Sequence, residues 1–316
     1  MRAVSLLLAA CCVLAGCGKP EVEWVRADGK TTQELEALHG SGPGDVWAVG
    51  AFGTVIHWDG TSWSAMDSGT NVDLHAVWAV GPRDAWAVGE QGVVLHWDGT
   101  RWTRVNAGTD KKLTGAWASG PADVWLAMST AYPRGLLHFD GKTWSQRLLP
   151  DTSSGYPERV WGRGPDDVWV TMSSREPLMH WTGAGWSEER PEVGSYPECE
   201  DLVPGGAGEL LALCSVTYLE KRVALRSASG WKTLPMDAST LEAAEDWNGI
   251  WSAGSSLWAV GGYGRIHRFD GAAWVEELGE DLSAPNLRDV WGSSEKDVWA
   301  VGDDGLVVRR TPPASQ

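Results

Sequence analysis

Short apolar runs, each broken by glycine, proline or aspartate, follow one another along almost the whole chain. Residues 74–105 show the unit plainly. An apolar stretch at 74–80 reads as an inner strand, and Gly81-Pro82-Arg83-Asp84 turns the chain. Residues 85–89 run back, 92–97 form a third strand, and Asp98-Gly99 closes a hairpin onto an outer strand at 102–105. The runs are too short for helices, and no stretch sustains a helical period.

The Asp-(Val/Ala)-Trp phrase that opens the second strand recurs at Asp45, Asp84, Asp123, Asp167 and Asp297, with looser copies at Gly208 and Ser256, so that copies lie 39 to 48 residues apart. Such a period with four short strands predicts propeller blades. The outer-strand tryptophan recurs as Trp63, Trp102, Trp144, Trp186, Trp231 and Trp274, and a seventh copy, Trp24, precedes the first repeat. The last repeat stops after its third strand. The chain is therefore expected to be all-β: one seven-bladed β-propeller of four-stranded blades over residues 22–310, closed by the N-terminal strand completing the last blade. A C-terminal tail follows at 311–316. Closure removes the open edges that invite aggregation.

Composition sharpens this. The 22 Trp, 39 Gly and three Phe of the 316 residues fit one large aromatic at a repeated packing position. The inner column, Trp78, Trp117, Trp161, Trp251 and Trp291, and the outer one are expected to pack blade on blade, each ring burying about 150–250 Å². A net charge of −16 argues against nucleic acid and against adhesion to anionic lipid. His57, His96, His138 and His180 form a column on third strands; these splay from the axis and cannot share a metal, so the rings are expected to bond a neighbouring blade. The recurring aspartates are expected to cap backbone N–H groups in their turns.

Residues 1–16 read as an export signal, with Arg2 ahead of an apolar run too short to cross a bilayer as a helix. The run ends in Leu14-Ala15-Gly16-Cys17, which resembles the lipobox of bacterial lipoproteins. That resemblance implies cleavage before Cys17, a lipid on its thiol, and a tether at 17–21 reaching about 14 Å. Gly18 in place of Asp favours the outer membrane. Cys199 and Cys214 remain; if Gly205 to Gly208 turn the chain they oppose one another, which predicts a cross-strand disulfide in a blade lacking its tryptophans at Leu202 and Leu210.

One face of such a ring carries tight, uniform turns; the other carries loops of variable length. All five tyrosines, Tyr132, Tyr156, Tyr196, Tyr218 and Tyr263, fall on the variable face, with Trp247 and the twin Tyr-Pro-Glu phrases that include Glu158 and Glu198. Aromatics on variable loops of a rigid scaffold mark a binding face. The Val-Trp-x-Val-Gly and Asp-Gly-x-x-Trp phrases resemble Trp-rich repeat propeller lipoproteins and the tectonin repeats of lectin-like propellers; the repeat also resembles the Asp-box of sialidases, though Asp59 to Trp63 is one residue shorter. These readings give three functions: a non-enzymatic envelope scaffold binding a protein, a lectin-like module binding surface glycan, and a sialidase-type hydrolase. The hydrolase would need a third arginine beside Arg159 and Arg288. The first is favoured, as a monomer anchored only by lipid, with no cofactor or metal.

Overall fold

A computed structural model describes residues 23–129, 133–150, 155–217, 220–278 and 284–311. They form seven antiparallel sheets of four strands, each pairing in chain order except the last. The inner strands, blades 1 to 7 in order, are Leu35–Gly42, Leu74–Gly81, Leu113–Gly120, Pro157–Gly164, Glu198–Pro204, Trp247–Ala253 and Leu287–Ser294. Blade 7 takes its outer strand from Glu23–Arg26, with Trp24 opposite Arg310. The molecule is a seven-bladed β-propeller closed by its first strand.

The second-strand tryptophans drive blade packing. Trp47 of blade 1 lies 4.9 Å from Trp97 and 5.0 Å from Trp102 of blade 2, and Trp299 of blade 7 meets Trp58 and Trp63 of blade 1 at 4.8 and 5.2 Å. Burying such a ring stabilises by about 4–6 kcal/mol before entropy is counted.

The histidine column bonds within its own blade, not to a neighbour. In blade 1, Asp45 accepts from Trp47 Nε1 at 3.1 Å and Ser41 Oγ at 2.5 Å and sits 2.8 Å from His57 Nε2, whose ring stacks on Trp47 at 3.9 Å. Blades 3 and 4 repeat the Trp-Asp-His unit at Asp123 and Asp167. In blade 7, Arg309 takes the histidine's place: its Nη2 donates to Asp297 at 2.8 Å and its guanidinium lies over Trp299. The turn aspartates are thus relay acceptors for side chains rather than backbone caps. The Nε2 edge of each ring is taken by the aspartate of its own blade.

Glu277 of blade 6 ties the closing seam. It accepts from Trp24 Nε1 at 3.1 Å, Arg310 Nη2 at 2.8 Å and Arg268 Nε at 2.7 Å. Burial works against its charge, yet these guanidinium groups hold the carboxyl at about 2.

Blade 5 departs from the repeat. Its register places Val203 and Leu211, not Leu202 and Leu210, where blades 2, 3, 4, 6 and 7 carry paired tryptophans. Cys199 faces Cys214 and the two are joined as a disulfide. The loop to blade 6 holds a helix, Ala238–Ala244, which the periodicity did not suggest; Asp237 caps it by accepting from the Thr240 N–H at 2.8 Å.

Candidate binding face and channel mouth

Each inner strand slips register near its start, for example between Leu35 and Ala37, Leu74 and Ala76, Cys199 and Asp201, and Leu287 and Asp289. This bulge leaves the skipped residue unpaired and re-aims it. Repeated seven times, it sets Glu36, His75, Thr114, Glu158, Glu200, Asn248 and Arg288 around the channel mouth on the loop face, where they line a cavity of 430 Å³ with Lys112 and Arg159.

Most charges there are matched. His75 lies 2.5 Å from Glu36 and 3.0 Å from Glu90, and Lys112 also reaches Glu90 at 3.0 Å. Burial lowers the imidazole's basicity, but the two carboxylates outweigh it and raise the His75 pKa. Lys221 bonds Glu200 at 2.7 Å, and Arg288 is held by Asp303 at 2.6 Å and Glu34 at 2.8 Å. Burial and the neighbouring Glu198 raise Glu158, with Arg159 opposing.

Two carboxylates lie deeper. Asp201 accepts the N–H of its own neighbour Leu202 and that of Ile250 in blade 6; Asp289 accepts those of Val290 and of Leu38 in blade 1. They pin inner strands together across blade boundaries. Burial raises both, and burial plus Asp201 lifts Asp289 to about 7. Below them the inner tryptophans and His39 converge, His39 stacking on Trp78 at 3.7 Å and lying 5.9 and 5.8 Å from Trp251 and Trp291. A cavity of only 80 Å³ remains at this level. Gly40 belongs to the same constriction, because a Cβ there would come 2.5 Å from the Trp291 ring. The channel narrows toward the tight-turn face and opens on the loop face.

The expected site residues sort unevenly. Tyr156, Tyr196 and Tyr263 are exposed by 38, 68 and 41% on the loop face, and the Arg190 guanidinium lies over the Tyr196 ring at 5.4 Å. Glu158 lines the mouth, while Glu198 instead accepts the Ser174 N–H at 2.8 Å. Trp247 is a correction. It opens the inner strand of blade 6, opposite Gly261 as Leu35 lies opposite Gly50, and is 0% exposed with its ring 4.6 Å from Trp274. A position facing between blades is core, so Trp247 is buried and is not part of the exposed loop face. Cys17, Tyr132 and Tyr218 lie outside the described residues.

Phe52, 69% exposed, escaped the sequence reading, which followed tyrosine and tryptophan alone. Its signal is the turn it shares with Tyr263: Gly50-Ala51-Phe52-Gly53 and Gly261-Gly262-Tyr263-Gly264 place the two rings at equivalent tips. Among the described residues, the exposed large aromatics are Phe52, Tyr156, Tyr196 and Tyr263, all on the loop face.

The sequence matches no family model and no curated protein. Solved structures share the architecture. A structure of YCF48 bound to D1 peptide superposes with a TM-score of 0.69 at 16% identity, over 92% of this chain and 97% of that one. Virginiamycin B lyase from Staphylococcus aureus gives 0.75 at 13% identity, over 92% and 98%. An ancestral GH74 enzyme gives 0.68 at 12% identity, over 90% of this chain but 46% of that one. At such identities the likeness carries the fold, and propellers of this shape serve both binding and catalysis.

Proposed function

We propose that the protein is a lipid-anchored, non-enzymatic binding scaffold of a bacterial envelope, which holds a protein partner on its loop face. The observation that carries this reading is the confinement of the four exposed aromatics to that face, on a ring whose other face is closed by tight turns. Tyrosine and phenylalanine on rigid supports give contact area at low entropic cost. That YCF48, a propeller of similar shape, was captured with a peptide agrees with a face of this kind.

Chain polarity supports the orientation. The closing strand runs from Glu23, opposite Thr311 near the tight-turn end, to Arg26, opposite Val308 toward the loop face. A lipid on Cys17, six residues before Glu23, would hold the tight-turn face toward the membrane and turn the loop face outward. The non-enzymatic part of the reading rests on the mouth: Arg159 and Arg288 line it, and no third guanidinium does among the described lining residues.

The test is capture from native membranes by the wild type and by the Tyr156→Ala, Tyr196→Ala, Tyr263→Ala variant. A protein enriched by the first and lost with the second is expected. Equal capture by both, or capture of polysaccharide alone, would overturn the reading.

A further inference from the structure

The second-to-third-strand turns of blades 1, 2, 6 and 7 share one geometry, with the tip residue in the left-handed region: Phe52 at φ 55°, Gln91 at 56°, Tyr263 at 56° and Asp304 at 56°. Aspartate tolerates that conformation; phenylalanine and tyrosine are strained by it. Both aromatic tips are also fixed. The Phe52 N–H donates to Asp73 Oδ1 at 2.8 Å, and the Tyr263 N–H to Asn286 Oδ1 at 3.2 Å, so each turn is pinned to the following blade. Two large rings are thus presented to water from pinned backbone on blades 1 and 6, on either side of blade 7.

Between them lies a cleft of 600 Å³ whose charged lining is Glu34, Arg288, Asp303 and Asp304. Arg288 is spent on Glu34 and Asp303. Asp304 is exposed at its tip and has no hydrogen bond or ion pair with any described residue. Three carboxylates face one cation, on a chain of net charge −16. Opposite charge draws in a cationic occupant and repels an acidic one. A guanidinium or ammonium also lies favourably over an aromatic face, and its aliphatic stem packs against the ring.

We infer that this cleft seats a cationic peptide segment of the partner, with an arginine or lysine side chain lying against Phe52 or Tyr263 and its charge directed to Asp304. The inference rests on the protein-binding reading of the loop face and names the chemistry of what binds there.

The experiment titrates the full-length chain against fluorescein-labelled hexa-arginine in 150 mM salt, reading anisotropy, with hexa-glutamate as the opposite-charge probe. Saturable binding of hexa-arginine alone is expected, weakened at least tenfold by Phe52→Ala with Tyr263→Ala and about threefold by Asp304→Asn. Gln91→Ala, in the same turn outside the cleft, should change affinity less than about twofold, and Phe52→Tyr with Tyr263→Phe should keep it. Hexa-arginine binding indifferent to both rings would show general attraction to an acidic protein and overturn the cleft. No hexa-arginine binding, while partner capture still depends on Tyr156 and Tyr196, would overturn this inference and leave the loop-face reading standing. Loss of both would overturn the two together.

Discussion

The two faces of the ring are made of different material. At the tight-turn face the repeat is at its most regular: Trp, Asp and His stack and bond within blades 1, 3 and 4, and Ser41, Ser119 and Ser293 close on the aspartates of blades 1, 3 and 7. At the loop face the bulge residues, left-handed tips and interblade loops differ from blade to blade, and the exposed rings gather there. The difference separates what holds the ring from what it displays. Substitutions at the first face should cost stability, and substitutions at the second should cost binding.

The sharpest break of that contrast is Asp45→Ala, which strands Trp47 Nε1, Ser41 and His57 around a buried vacancy. It should destabilise by about 4 kcal/mol, read by denaturant unfolding, whereas Tyr156→Ala should stay within about 0.5 kcal/mol. Equal losses would erase the distinction.

Glu277→Gln comes next and probes the seam that both faces depend on. The folded carboxyl titrates at about 2 against an ordinary 4.5, so its contribution is full above pH 4.5 and is lost as pH falls toward 2. The variant should lose about 3 kcal/mol at pH 7 and show a flatter acid-unfolding profile between those values. An unchanged profile would show that the ring closes without this carboxylate.

Replacing Cys199 and Cys214 by serine removes a crosslink between residues 15 apart at the loop-face end of blade 5, and should cost about 2 kcal/mol by thermal unfolding. The smallest effect has the opposite sign. Phe52→Gly relieves a left-handed phenylalanine and should raise stability by about 1 kcal/mol while weakening partner capture. A gain in stability with a loss of binding at one residue is what a displayed, strained side chain implies. A loss of both would make Phe52 part of the frame.

Legibility in the sequence follows the same division. The regular face repeats, so its period, its tryptophan columns and the closing role of Trp24 could be counted, and the fold with them. Where the repeat decays, counting failed by small steps. Blade 5 slipped by one residue to Val203 and Leu211, and Trp247 looked like a loop residue although it fills the place of Leu35 and Leu287. Composition cannot show that a register slip turns Glu36 or Arg288 into the channel, because a bulge depends on pairing with a partner strand. Nor did residue type alone expose Phe52; the turn it shares with Tyr263 does so only once the backbone of both is known. The relay partners were visible as residues and misassigned as contacts, since stacking of His57 on Trp47 is a three-dimensional fact.

The central claim, that the partner meets the loop face, is tested most directly by photocrosslinking in intact membranes. A photoreactive amino acid would replace Tyr196 on the loop face in one variant and Lys142, exposed in a tight turn, in another. A discrete protein adduct at position 196 with none at position 142 is predicted. An adduct at position 142 with none at position 196 would contradict the account and move the binding surface to the opposite side of the ring.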